Sequence, residues 1–197
     1  RSRGLGDVYK RQRQISSNPT LLVDIDARIP VAWIDCPELG IHPGDATYGA
    51  LADKEGVIFP CMEQVHMPYI REKRMPSVTL RPPSSGKLSY GVSIRELEAP
   101  MKLIELLSGT VTEYLPSIVS ITTPNDWSFC VRFTNDCQAT FSHYGLEHQV
   151  EKLSRALRHA RQTHRKISSI NLIPEHNIPV IFDNSYEDIP LAEPIEE

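Results

Sequence analysis

The chain has 197 residues, of which 40% are hydrophobic, and a formal net charge of −4. That length gives one or two small domains, and the apolar fraction is ordinary for a globular chain. The near-neutral balance excludes long-range attraction to nucleic acid or an anionic membrane by the chain as a whole. No run approaches the ~20 apolar residues that a bilayer span requires.

Residues 1–12, RSRGLGDVYKRQ, have no apolar periodicity and no initiator Met. They resemble sequencing-adapter read-through and are set aside from fold reasoning, with the natural N-terminus expected to be missing. Gln14–Pro19 is polar and turn-like. Leu21–Arg28 then alternates, Leu21, Val23, Ile25 and Ala27 against Asp24, Asp26 and Arg28, which predicts a half-buried strand. Val31–Ile34 resumes after Pro30 as a second short strand. Pro37–Tyr48 holds Pro37, Gly40, Pro43 and Gly44 and reads as a loop. Ala50–Phe59 reads as a hairpin turning at Asp53–Gly56, where glycine supplies a positive φ.

Cys61–Met75 mixes apolar and basic residues and yields no firm assignment. Ser77–Leu80 is a short strand and Arg81–Lys87 a flexible loop. A helix is expected next, with Pro100 in its first turn, an apolar face from Leu103 to Leu115, and Pro116 as its stop. Ile118–Thr122, Trp127–Phe133 and Gln138–His143 read as strands, with Trp127, Phe129, Val131 and Phe133 on one face. A second helix is expected over Gly145–His164. There Leu146, Val150, Leu153, Leu157 and Ala160 form one stripe aimed at the sheet. Ile167–Phe182 is the last hairpin, with Pro174-Glu175-His176-Asn177 as its turn. Asp183–Glu197 carries six acidic residues and no Lys or Arg, a composition that predicts a disordered tail. The order predicts an α+β body: a mainly antiparallel sheet with helices packed on one face.

Few residues suggest chemistry. Lys152, Arg155, Arg158, Arg161, Arg165 and Lys166 crowd one helix. Without an aromatic platform beside them they read as a solvated face rather than a nucleic-acid footprint. Cys36, His42, Cys61 and His66 are metal-ligand types, but C-x5-H and C-x4-H do not match compact structural zinc pairs. Cys36 and Cys61 bracket a strand–loop–hairpin unit and are the candidate disulfide, free thiols being the alternative. Cys130 and Cys137 read as ordinary small residues. There is no G-x-S-x-G, no phosphate-cradling glycine loop, no H-E-x-x-H and no G-x-G-x-x-G. The expectation is a non-enzyme with no cofactor and no bound metal. Asn177–Phe182 is the last element before the acidic tail, so nothing later in the chain covers it. It is the candidate partner-docking edge, with Ile178, Val180 and Phe182 inward and Asn177, Pro179 and Ile181 outward. Pro179, lacking an N–H, is expected to interrupt the donor row along that edge.

Several of these stretches resemble one family. Leu22–Phe59 is similar to the junction segment of the bacterial cell-division proteins FtsQ and DivIB: Arg28, Pro30, Val31 and Ala32, then Asp53, Gly56 and Phe59. Trp127–Phe133, the helix with Leu153 and Leu157, and Ser169–Phe182 follow in the order of that family's β domain. The resemblance covers roughly residues 20–182. It implies a remnant of a POTRA domain over 13–34, the β domain over 35–182, and a missing N-terminal part with a single membrane anchor. It also implies a non-enzymatic divisome scaffold of the inner membrane, with this region in the periplasm. Its partners would be an FtsB/FtsL-like pair docking on Asn177–Phe182, with an aromatic at Phe182. The alternative is a motif-less hydrolase-like α+β domain. Pro124-Asn125-Asp126 stands where some relatives have basic residues, which removes a salt bridge to the partner there.

Overall fold

The computed structural model describes residues 9–14, 21–26, 28–72, 74–109 and 115–183. Strands β1 (Tyr9–Gln14) and β2 (Leu21–Asp26) pair antiparallel from Tyr9↔Asp26 to Gln14↔Leu21 as a two-stranded sheet. The pairing includes Tyr9–Gln12 of the adapter-like stretch. The expected acidic tail beyond Asp183 lies outside the described residues.

The remaining strands form one nine-stranded sheet. They are β3 (Ala32–Asp35), β4 (Ala50–Ala52), β5 (Ile58–Pro60), β6 (Ser77–Thr79), β7 (Ile118–Thr122), β8 (Ser128–Phe133), β9 (Gln138–Ser142), β10 (Ile167–Asn171) and β11 (Val180–Phe182). Their spatial order is β11-β10-β9-β8-β7-β6-β3-β4-β5. The fold is α+β and the sheet mostly antiparallel. β3/β6, β6/β7 and β9/β10 are the parallel neighbours. Two of these pairs are joined through helices α2 (Arg95–Gly109) and α3 (Leu146–Gln162), because a parallel pair needs a crossover too long for a tight turn. β3 sits inside this sheet, so the boundary expected between residues 34 and 35 falls within a strand of the main body.

Alternation in the strands sorts the core. Ala32, Ile34 and Cys36 face one side with Ile121, Phe129, Val131, Phe133, Ala139 and Phe141, under Leu97, Met101 and Leu103 of α2 and Val150 and Leu153 of α3. Trp33, Leu51, Phe59 and Cys61 form a separate cluster on the other side, covered by Met67 and Ile70 of α1 (Glu63–Glu72). Helices therefore cover both faces, not one. The ambiguous segment after Cys61 is helical because His66, Met67 and Ile70 fall at helical spacing on the side that packs inward, a pattern diluted by Pro68 and basic neighbours.

α2 starts five residues earlier than Pro100 suggested. Pro100 lies inside it, on the buried side between Ala99 and Met101. Glu96 and Glu98 in the first turn complement the helix dipole. α3 begins at Gly145 in the left-handed region (φ 66°), which a glycine adopts without strain. Gln149 then locks the β9–α3 corner: its Oε1 accepts from the Ser142 amide at 2.9 Å, and its Nε2 donates to the Tyr144 carbonyl at 2.6 Å.

Candidate functional site

The two rims of the sheet differ. The outer side of β5 is met by the segment before α2: Gly91 N–H donates to Ile58 at 2.8 Å and Ile94 N–H to Gly56 at 3.2 Å. β11 pairs with β10 on one side and has no strand on the other among the described residues. Its ladder is defined by Asn171 N–H to the Pro179 carbonyl at 3.0 Å and Asp183 N–H to the Lys166 carbonyl at 2.8 Å. In an extended strand the N–H and C=O of one residue point to the same side. Pro179, Ile181 and Asp183 thus turn their main chain toward β10, while Val180 and Phe182 turn theirs outward.

This corrects two expectations. The docking stretch Asn177–Phe182 is a strand only over Val180–Phe182, because Asn177 is in the left-handed region (φ 53°) and completes the turn. Pro179 does not break the open donor row, because its missing N–H lies on the β10 side. The expected facing holds: Ile178, Val180 and Phe182 pack against the core, and Ile181 is 63% exposed on the other face. The Arg165 guanidinium lies 5.2 Å from the Phe182 ring centroid, a cation–π contact that holds the end of the strand. The turn is held by Lys152, whose ammonium donates to the Pro174 carbonyl at 2.8 Å. Lys152 is buried, not part of the solvated basic face, and its charge was the misleading signal in the sequence.

The other candidates are placed apart. Cys36 and Cys61 fall in the two separate clusters on opposite faces of the sheet, and all four cysteines are free thiols. The expected pair is not bridged, because one residue ends a β3 face that the other, after β5, does not share. Burial pushes each thiol up, Cys137 to about 11. His42 is solvent-facing, with Nδ1 3.7 Å from Asp35. His66 is buried against Phe59, its Nδ1 accepting from the Met62 amide at 3.0 Å, and burial holds its pKa below the usual range. Among the described residues no group of three or more His, Cys, Asp or Glu is placed to hold a metal. No described helix is long and apolar enough to cross a membrane.

A cavity of about 500 Å³ opens between the starts of α2 and α3, beside Arg95, Lys102, Asp126, His143 and Tyr144. Two of its lining charges pair with residues beyond it: Asp126 with Arg81, and Lys102 with Glu147 at 2.6 Å. Among the described residues its lining contains no serine, threonine or cysteine. Asn125 builds a turn before β8: its Oδ1 accepts from the Trp127 and Ser128 amides at 3.1 and 2.7 Å.

The residues that carried the family resemblance are architectural. Arg28 pairs with Asp53, whose Oδ1 accepts the Glu55 and Val57 amides at 2.9 and 3.0 Å. Gly56 (φ 73°) closes that turn, and an added Cβ would stand 3.2 Å from Leu97 Cβ. Phe59 fills the second cluster. In comparisons with known proteins, no family model and no curated protein matches the chain.

Proposed function

We propose that this chain is a non-catalytic scaffold that takes up a strand from a partner along β11, in the manner of FtsQ/DivIB-type divisome proteins. The partner would be an FtsB/FtsL-like pair, and the region would stand in the periplasm behind a single inner-membrane anchor. One observation carries the reading: the β5 rim is covered by its own chain, whereas the outward main chain of Val180 and Phe182 has no strand against it among the described residues. Backbone pairing along such an edge supplies affinity with little demand on sequence.

The test is a binding titration with an FtsB/FtsL-like pair. Val180→Pro deletes an outward N–H and spares the β10 ladder. Ile181→Glu places a charge on the exposed face. Each should weaken binding at least about tenfold, or ~1.4 kcal/mol, with an unchanged circular dichroism spectrum. Unchanged affinity in both variants, with the fold intact, would move the interface away from β11.

A further inference from the structure

The cavity between the starts of α2 and α3 keeps two opposite charges in reserve. Arg95, Glu98, Ala99 and Lys102 fall at i, i+3, i+4 and i+7, so one face of α2 forms its wall. Lys102 is held by Glu147, and Asp126 by Arg81, which also stands 3.7 Å from Glu96. Arg95 and Glu98 are exposed, and among the described residues neither forms an ion pair, with the other or with a neighbour. Residues three apart on a helix have their Cβ atoms roughly 5–6 Å apart, so a guanidinium and a carboxylate flank the same opening. The volume, about 500 Å³, is that of a pocket able to enclose a small molecule.

The sheet end beside α2 is aromatic. Tyr144 lines the cavity and is 76% exposed, and Trp127 is 59% exposed. The β8–β9 pairing brings them together: His143 N–H donates to the Trp127 carbonyl at 3.2 Å, and Tyr144 follows His143 in the chain. The His143 ring lies against Phe129, with centroids 5.5 Å apart. Burial holds its pKa below the usual range, so it adds no charge to the cavity at neutral pH. With the partners beyond the lining, Arg81 and Glu147, three cations stand against four carboxylates, and a ligand of strong net charge gains little. A ligand that answers both free groups carries one negative and one positive charge a few atoms apart. One that also uses the exposed rings carries a ring of its own, because aromatic pairs contribute beyond the area they bury.

We infer that this cavity binds a free aromatic α-amino acid as its zwitterion, with the carboxylate on Arg95, the ammonium on Glu98 and the side-chain ring against Tyr144 and Trp127. The inference stands whether or not β11 receives a partner strand. The experiment titrates the full chain with L-phenylalanine and follows backbone amide NMR shifts. Saturable shifts are expected over Arg95–Lys102 and at Trp127 and Tyr144, with a Kd of about 1 mM or tighter. Phenylalaninamide lacks the carboxylate and N-acetylphenylalanine lacks the ammonium, so each should bind at least about tenfold more weakly. In Arg95→Gln the amide should bind at least as well as L-phenylalanine, and in Glu98→Gln the acetylated form should, because each variant removes the group that told the two ligands apart. Both positions are exposed, so circular dichroism should not change in either variant. No saturable shift up to about 10 mM L-phenylalanine would overturn the site. Equal affinity of the unaltered chain for all three compounds would overturn the pairing with Arg95 and Glu98. Saturable shifts confined to Val180–Phe182 would overturn the location.

Discussion

Asp53 is 5% exposed, accepts two turn amides and pairs with Arg28, whose side chain is 11% exposed. Removing one partner of a buried pair strands the other, which costs about 3–5 kcal/mol. Asp53→Ala should therefore lower the stability measured by denaturant titration by that order. Glu55→Gln should change it by less than about 0.5 kcal/mol, because Glu55 is 3.9 Å from Arg28 and 62% exposed. Equal midpoints for the two variants would remove Asp53 from its role as the clamp of this corner. The sequence shows Asp53 and Gly56 as turn residues. It does not show that Arg28, 25 positions earlier, closes on them, since that contact exists only when β3 and β4 are paired.

At the scale of elements, α3 behaves as its stripe implies. Leu153 is fully buried and Arg158 is exposed. Leu153→Ala should cost about 2–5 kcal/mol through lost burial and the cavity left behind. Arg158→Ala should stay within about 0.5 kcal/mol. A chemical-denaturation comparison decides it, and similar losses would mean that the helix presents another face to the sheet. α2 illustrates the limit of local signals. Proline is favoured in a first turn, so Pro100 drew the expected start too late. The helix begins at Arg95 instead, because Leu97, Ala99 and Met101 are buried in the core, and packing outweighs the one hydrogen bond that Pro100 forgoes.

At the scale of the molecule, the sheet has one rim closed by its own chain and one with outward amides. Hydrogen exchange reads this asymmetry directly. The amides of Val180 and Phe182 should exchange faster than those of Asn171 and Asp183, which donate across the β10–β11 ladder. A partner strand should slow Val180 and Phe182 selectively. Equal protection of all four amides in the isolated chain would mean that the outer side of β11 is already paired. The inward facing of Ile178, Val180 and Phe182 was legible from their alternation, because a period of two assigns side chains to faces. Which neighbour each main-chain group addresses was not legible, because that depends on register with β10.

Composition and periodicity by themselves determined the fold class, most strands, the inner stripe of α3 and the last strand's place at a rim. These follow from how each short segment divides its own apolar and polar residues. The tertiary structure alone decided the rest: helices on both faces, Cys36 and Cys61 on opposite sides, the burial of Lys152, and the direction of Pro179's missing donor. Each depends on residues distant in sequence meeting across a sheet, and spacing along one chain carries no information about that meeting until the strands are ordered.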